Sequence, residues 1–275
     1  DYLGLANDRR LAEAANKTIA KQGFGTGSAR LVSGSRAAHH ELEQTLAHFK
    51  GTEACLLFNS GYTANIGVIQ ALTGAGGVIY SDALNHASII DGAKLSRANI
   101  QVFRHNDPEH LKELLSDVEG KYSNLDSDKP VHLLIVTEGV FSMDGDIAPL
   151  DQIVPLARDH KSVIMVDDAH GTGVLGTGGR GTGNHFGVDP LIDIKMGTLG
   201  KAFGSFGAYV CGSQILIDYL INTCRSFIYT TSLPPAVATC AMEGLRIIER
   251  EPERIDRLQK NITFFRKGLS AIGFP

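Results

Sequence analysis

The chain has 275 residues, of which 43% are hydrophobic and 20% charged, and it contains 31 glycines and no tryptophan. This length allows one or two domains with a sizeable core, and glycines without a fixed period between apolar runs exclude collagen and simple disorder. A net charge of −4 with dispersed basic residues argues against nucleic acid as the main partner, and no apolar run is long enough to span a membrane.

The four cysteines lie in apolar surroundings and form no CxxC pair. Thiols in this setting are typical of the reduced interior of a cytoplasmic protein. We therefore expect a cytoplasmic location and free thiols at Cys55, Cys211, Cys224 and Cys240.

From residue 54 onward, short apolar runs alternate with amphipathic stretches. The runs predicted as strands are ACLLF (54–58), GVIYSD (77–82), IQVFR (100–104), VHLLIVTE (131–138), SVIMV (162–166), DIKMGTL (193–199) and FGAYVCG (206–212). The stretches predicted as helices are YTANIGVIQAL (62–72), HASIIDGAKLSR (86–97), PEHLKELLSDVEG (108–120) and PLDQIVPLARDH (149–160). Residues 120–130 are predicted as a polar loop. The last stretch, 232–275, is predicted as helical, with one apolar face formed by Leu258, Ile262, Phe265 and Leu269.

This alternation is typical of an α/β protein with a mostly parallel central sheet flanked by helices. Because the apolar runs are unbroken and rich in β-branched residues, we expect the strands to be buried on both faces. Open α/β sheets bind ligands at the carboxyl ends of their strands. Functional side chains are therefore expected directly after each predicted strand.

Several chemically active residues occupy those positions. Lys201 lies among Gly197, Gly200 and Gly204 and next to apolar residues, so we expect it to be shielded from water. Burial lowers the pKa of a lysine and leaves a neutral amine available for Schiff-base chemistry. Taken alone, a lysine in this setting is more often structural.

A second signal is the aspartate pair Asp167-Asp168 at the end of a predicted strand. By itself the pair is compatible with a metal site or an ordinary strand end. A carboxylate at Asp167 could instead hold a pyridinium nitrogen, which together with Lys201 is the arrangement of pyridoxal 5′-phosphate (PLP) enzymes. The helix start at Ser60-Gly61-Tyr62 offers backbone N–H groups and a helix dipole to a phosphate.

Three other motifs point elsewhere and are judged weak. A GxGxxG pattern at residues 171–176 follows a strand, as in a NAD-binding dehydrogenase, but it runs into further glycines instead of a helix. His39-His40-Glu41 is not a zinc-binding HExxH motif, although His40 could touch a substrate. Asp144-Gly145-Asp146 lacks the rest of a calcium loop. We expect no metal site.

Taken together, these motifs resemble the α-oxoamine synthases, PLP enzymes of fold type I, over essentially the whole chain. The resemblance lies in DYLGL, GTGSARLVSG, FNSGYTAN, NHASIIDG, TEGVFSMDGD, VDDAHGTGVLG, GTLGKAFG and YTTSLPP. It implies a large PLP-binding domain at residues 31–245. Residues 1–30 would lead into that domain, and 246–275 would begin a C-terminal small domain that continues beyond this sequence.

The resemblance also implies roles for individual residues. Lys201 would form the Schiff base and move the proton at the substrate Cα, and Asp167 would pair with the pyridine nitrogen. His86 would stack on the cofactor ring and orient the substrate. Ser142 and His170 would contact the side of the ring that carries the hydroxyl group.

Phosphate binding and assembly are implied in the same way. Gly61 and Tyr62 would hold the phosphate, assisted by Thr198. Family active sites lie at a homodimer interface, so Thr231 would reach the phosphate of the neighbouring subunit. The implied partners are small-molecule substrates and a second copy of the chain, without nucleic acid or membrane.

The implied reaction condenses an amino acid with an acyl thioester and releases carbon dioxide and the thiol. GTGSARLVSG, SGYTAN, MDGDIAPL and AHGTG favour the branch that uses L-alanine and a pimeloyl thioester in biotin biosynthesis. Glycine C-acetyltransferase, 5-aminolevulinate synthase and serine palmitoyltransferase are alternatives within the family. An alternative of another class is a catalytically silent subunit that only supports a partner.

Overall fold

The computed structural model describes residues 1–122 and 132–274. Seven strands form one sheet: β1 (Ala54–Phe58), β2 (Val78–Asp82), β3 (Asn99–Phe103), β4 (Leu133–Glu138), β5 (Val163–Asp167), β6 (Ile194–Thr198) and β7 (Ala208–Gly212). Their order across the sheet is β1-β7-β6-β5-β4-β2-β3. The neighbours from β3 to β6 are parallel, whereas β7 is antiparallel to both β6 and β1. The predicted α/β class with a mostly parallel sheet is confirmed.

Eleven α-helices in the described ranges accompany the sheet. They are α1 (Arg9–Gln22), α2 (Ala37–Lys50), α3 (Gly61–Leu72), α4 (Ala87–Ser96), α5 (Pro108–Tyr122), α6 (Leu150–Asp159), α7 (Thr182–His185), α8 (Gln214–Thr223), α9 (Arg225–Ile228), α10 (Pro235–Arg250) and α11 (Glu253–Ala271). None of the helices in these ranges combines the length and the apolar character that crossing a bilayer requires.

Apolar side chains cover both faces of the sheet because successive residues of a strand point to opposite sides. In β4, Leu134 and Val136 join the cluster that includes α3 and α8, whereas Ile135 points to the other face, where α5 and α6 pack. On the same face as Ile135, a third apolar cluster packs β1 and β7 against α2 and α10. The sheet is therefore the middle layer of three, as the unbroken apolar runs predict.

Two predicted features differ from the structure. The strand β3 lies at the sheet edge and is not buried on both faces, and its Val102 is 55% exposed. The predicted loop begins too early, because α5 continues through Tyr122. The remaining loop positions, 123–130, lie outside the described residues.

Candidate cofactor site

The parallel strands β2, β4, β5 and β6 end at one edge of the sheet, as neighbouring parallel strands must. Three of these four strands end in an acidic residue, namely Asp82, Glu138 and Asp167, and the fourth ends at Thr198. The three carboxyl groups are almost fully buried. A cavity of about 140 Å³ opens at this edge.

Seven of the predicted site residues line the cavity. They are Gly61, Tyr62, His86, Asp167, His170, Thr198 and Lys201. These residues come from four separate segments of the chain, and the sheet topology alone brings them together. Their shared location supports the interpretation of the sequence motifs as one site.

Three predicted site residues lie outside the cavity lining. The Ser60 hydroxyl caps α3 by accepting the N–H of Thr63 at 3.2 Å. Ser142 is exposed on the hairpin that follows β4. Thr231 borders a separate small groove, where its carbonyl accepts a hydrogen bond from Asn59 at 2.9 Å. The cofactor-binding roles of these three residues stay predictions.

The carboxyl group of Asp167 is held by a short chain of hydrogen bonds. Asn65 Nδ2 donates to Asp167 Oδ2 at 2.7 Å and to Ser88 Oγ at 2.9 Å. Ser88 Oγ in turn lies 2.7 Å from His86 Nδ1. The residue predicted to pair with the ring nitrogen and the residue predicted to stack on the ring are thereby joined through two buried polar side chains. Neither Asn65 nor Ser88 was assigned a role from the sequence, although both lie in quoted motifs.

Burial shifts Asp167 and Lys201 toward their neutral forms, and their opposite charges partly oppose these shifts. Burial raises the pKa of Asp167, opposed by the hydrogen bond from Asn65 and the positive charge of Lys201. Burial also lowers the pKa of Lys201, although the charges of Asp167 and Glu138 oppose this effect. Lys201 is therefore easier to deprotonate than a surface lysine, as its apolar neighbours predict.

His170 is neutral at physiological pH. Burial, followed by the charges of Lys201 and His86, lowers its pKa to about 4. The Tyr2 hydroxyl lies 2.6 Å from His170 Nδ1, and its raised pKa keeps it protonated, so it donates to this nitrogen. The proton of the ring is therefore on Nε2, where it can be donated to a phenolic oxygen. The sequence predicted no role for Tyr2, which precedes His170 by 168 residues in the chain.

Glu138 lines the cavity but was not predicted as a site residue. It lies beside Asp167 in the register of β4 and β5 and is 3% exposed. Burial, and next the negative charge of Asp167, raise its pKa to about 7, while the backbone N–H groups of His86 and Ser142 oppose the shift. Its place at a strand end was the signal that could have identified it.

The Glu138→Gln variant is expected to be more stable than the wild-type protein at pH 8, by up to about 3 kcal/mol, and at pH 5 by less than about 1 kcal/mol. An unfolded glutamate loses its proton near pH 4.5, whereas folded Glu138 keeps it until about pH 7. The free energy of unfolding therefore falls as pH rises between these values, and glutamine removes this loss. Urea unfolding of the cofactor-free protein at both pH values measures the difference.

Glu249→Gln provides the control, because it makes the same substitution at an exposed position, where no charge is buried. Equal effects of Glu138→Gln at pH 5 and pH 8 would show that the carboxyl group does not titrate in this range.

Asp168, the second aspartate of the pair, has a structural role. It forms a buried ion pair with Lys50 at 3.2 Å, and it accepts hydrogen bonds from Thr172 Oγ1 at 2.8 Å and Thr182 Oγ1 at 2.6 Å. A Cβ atom on Gly171 would lie 2.1 Å from Asp168 Oδ1, so the glycine after the aspartates makes room for this carboxylate. Within the described ranges no group of three or more His, Cys, Asp or Glu side chains could hold a metal ion.

The geometry of the cavity fits PLP in three respects. The first N–H groups of α3 have no carbonyl acceptor within the helix, as at any helix start, and suit a phosphate. A Cβ atom on Gly61 would lie 2.9 Å from Thr198 Cγ2, so only glycine allows this close approach of α3 to β6. The buried Asp167 carboxylate suits a protonated ring nitrogen, and the amine of Lys201 suits the aldehyde carbon.

The comparisons with known proteins agree with this fit. The pattern of the family described as aminotransferase class I and II matches residues 1–275. The 8-amino-7-oxononanoate synthase of Methylococcus capsulatus is 48% identical over 275 residues, covering 100% of this chain and 68% of that protein. The enzyme of the same name from Geobacter metallireducens is 50% identical over 276 residues, with the same coverage.

Two solved structures illustrate the similarity of fold. A serine palmitoyltransferase from S. paucimobilis, with PLP and myriocin bound, superimposes with a TM-score of 0.92 at 36% identity, covering 100% of this chain and 69% of that one. An 8-amino-7-oxononanoate synthase from Francisella tularensis superimposes with a TM-score of 0.81 at 34% identity, covering 98% and 74%. The protein thus has the fold of PLP-dependent enzymes of fold type I.

Proposed function

Because this chain belongs to the aminotransferase class I and II family, we propose that it uses PLP to condense L-alanine with a pimeloyl thioester. The products are 8-amino-7-oxononanoate, carbon dioxide and the free thiol, and the reaction is a step of biotin biosynthesis. One observation carries the proposal: Lys201, Asp167 and His86 meet in a single cavity of a chain about half identical to 8-amino-7-oxononanoate synthases.

When bound, PLP supplies an electron sink for the electron pair left at the amino-acid Cα. The Asp167 carboxylate holds the proton on the ring nitrogen, and its bond from Asn65 fixes the position of the acceptor oxygen. Burial of this carboxylate strengthens its attraction for a cationic partner, since little water screens the charge.

Lys201 moves the proton at the substrate Cα. Because its pKa is lowered by burial, its neutral amine is more available as a base than that of a surface lysine, and its Nζ lies 3.4 Å from Thr198 Oγ1, which holds it beside the end of β6. The positive charge gained by Lys201 when it takes the proton is stabilised by Asp167 and Glu138.

The remaining predicted residues orient the reactants. His86 lines the cavity, is fixed through Ser88, and can hold the breaking Cα bond perpendicular to the ring. His170 donates from Nε2, and Ser142 from the neighbouring hairpin, to the ring hydroxyl. The helix start at Ser60, Gly61 and Tyr62 binds the phosphate, together with Thr198.

The proposal extends to assembly and location. Thr231 lies outside the cavity of its own chain, which is consistent with a homodimer in which it reaches the neighbouring site. The four cysteines are free thiols, which favours a cytoplasmic location. The division at residues 30/31 and 245/246, with a small domain beginning at 246, stays part of this proposal.

Thiol release by the purified full chain, assayed with alanine, glycine and serine against acyl thioesters of two to sixteen carbons, tests the function. We expect the highest kcat/KM with alanine and a pimeloyl thioester, either on CoA or on a carrier protein. A preference for glycine or serine would move the protein to another α-oxoamine synthase activity. The absence of any amino-acid-dependent change in the visible spectrum would identify a silent subunit.

A further inference from the structure

His105 forms a tie between two segments that carry predicted site residues. Its Nδ1 lies 2.8 Å from Asp82 Oδ1, and its Nε2 lies 2.7 Å from Asp146 Oδ2. Both ring nitrogens therefore face carboxylate oxygens. Only the doubly protonated imidazolium can donate a hydrogen bond to each of them.

The Asp82 end of this tie leads to His86. The side chain of Asp82 is fully buried, and it accepts the backbone N–H of Leu84 at 2.9 Å and that of Asn106 at 2.9 Å. The backbone N–H of Asn85 then binds the Asp82 carbonyl at 3.2 Å, which completes a tight turn. His86 follows this turn directly, so the position of Asp82 sets the position of His86.

The Asp146 end leads to Ser142. Val140 and Ile147 pair as an isolated antiparallel bridge, and the Phe141 N–H binds the Asp146 carbonyl at 3.0 Å. Ser142 lies in the hairpin between them. The buried ring of Phe141 packs edge-on against His105, with 4.4 Å between the ring centroids. The contacts of Asp146 and Phe141 with His105 therefore hold this hairpin in place.

We propose that His105 is a positioning residue of the cofactor site: its imidazolium fixes the distance between the turn that carries His86 and the hairpin that carries Ser142. This inference rests on the proposed function in one respect, namely that His86 and Ser142 contact PLP. The two hydrogen bonds of His105 form within the chain and do not depend on bound PLP.

The tie depends on pH. Burial lowers the pKa of His105, but the hydrogen bonds with Asp82 and Asp146 outweigh this effect and raise the pKa above its usual value. These two carboxylates are the charges that face the ring, since the adjacent Arg104 pairs with Asp107. At a pH above this raised pKa, one ring nitrogen of His105 loses its proton and can only accept a hydrogen bond. It then faces a carboxylate oxygen, which is also an acceptor, so no hydrogen bond can form between them. The hydrogen bond from His105 to Asp146 is then lost first, because the Asp146 side chain is 43% exposed and Asp82 is fully buried. Asn106 Nδ2, 3.2 Å from His105 Nε2, can donate to the deprotonated nitrogen, and its own bond to Asp146 Oδ2 at 2.9 Å does not depend on the protonation of His105.

The test compares the wild-type protein with Asp146→Asn, which removes the charge at the more exposed end of the tie, and with His105→Gln. Titration of the apoprotein with PLP, followed by visible absorbance, gives Kd from pH 6 to pH 10. We expect each variant to bind PLP about tenfold more weakly at pH 6, the effect of one hydrogen bond between charged groups. The ratio of variant to wild-type Kd is expected to approach one at alkaline pH, where the wild-type protein has also lost the tie. A purely structural contribution would give a ratio that does not change with pH.

A second measurement needs no cofactor. Hydrogen–deuterium exchange of the amides at residues 140–147 is expected to be faster in Asp146→Asn than in the wild-type protein at pH 6, with the difference vanishing at alkaline pH. The exposed His48 provides a matched control, since His48→Gln should leave both measurements unchanged.

A pH-independent Kd ratio, or equal exchange in the variant and the wild-type protein, would overturn the inference. The condensation reaction is measured separately, so its absence together with a pH-dependent Kd ratio would contradict the proposed function and leave the role of His105 intact.

Discussion

Lys201→Ala is expected to abolish turnover and the visible absorbance that PLP shows when it is bonded to a lysine. Under the proposed function, the variant removes both the amine that would bond the cofactor and the group that would move the proton at the substrate Cα. Proton transfer by a positioned side chain alone contributes about 10²- to 10⁴-fold to a rate, so the loss in kcat should be at least of that size. Single-turnover assays and absorbance spectra of the PLP-treated variant measure the two effects.

Two further variants separate the chemistry of Lys201 from its charge. Lys201→Arg keeps a positive charge beside Asp167 but cannot bond the aldehyde carbon, and it should be as inactive as alanine. Lys94→Ala removes an exposed lysine of α4 and should be fully active. Turnover retained in Lys201→Ala would exclude the assignment of this residue.

Lys50→Met is expected to destabilise the protein by about 3–5 kcal/mol, because it leaves the buried carboxylate of Asp168 without its cation. Lys50 is 2% exposed, and its amine also contacts Thr172 Oγ1 at 3.1 Å. Methionine has a similar shape, so the loss of charge dominates over the loss of packing. Urea unfolding at pH 7 measures the free energy of unfolding.

The Lys50→Met, Asp168→Asn double variant tests the cause. If the unpaired charge is responsible, the double variant should be destabilised by less than the sum of the two single variants. The exposed pair of Arg104 and Asp107 supplies the comparison, since Arg104→Met should change the free energy of unfolding by about 1 kcal/mol or less. A loss of that small size for Lys50→Met would mean that the charge of Asp168 is compensated by its threonine partners.

The strands and their order in the chain could be predicted closely from the sequence. ACLLF corresponds to β1 residue for residue, because a buried strand bounded by polar residues gives a clear local signal. The edge position of β3 could not be predicted in the same way. Its apolar residues resemble those of the central strands, and only the arrangement of the whole sheet leaves Val102 exposed.

The lining of the cavity could be predicted where chemically active residues lie at or just after strand ends, as for Asp167 and Lys201. Residues that act through other residues gave no such signal. Asn65 lies in the interior of α3 and meets Asp167 only after the helix packs on the sheet. Lys50 reads as an ordinary helix-end lysine, and its burial against Asp168 depends on contacts between distant parts of the chain.

The pairing of β1 with β7 has a consequence for how the chain acquires its structure. In the part of the chain that the structure describes, β7 (Ala208–Gly212) is the one strand that pairs with the apolar segment Ala54–Phe58. During synthesis β1 therefore lacks its neighbouring strand until the other strands have been made. Pairing over such a long separation is slow, and an unpaired apolar strand invites association with other chains. We expect polypeptides that stop before Ala208 to aggregate, and refolding of the whole protein to improve at low concentration or with a chaperone.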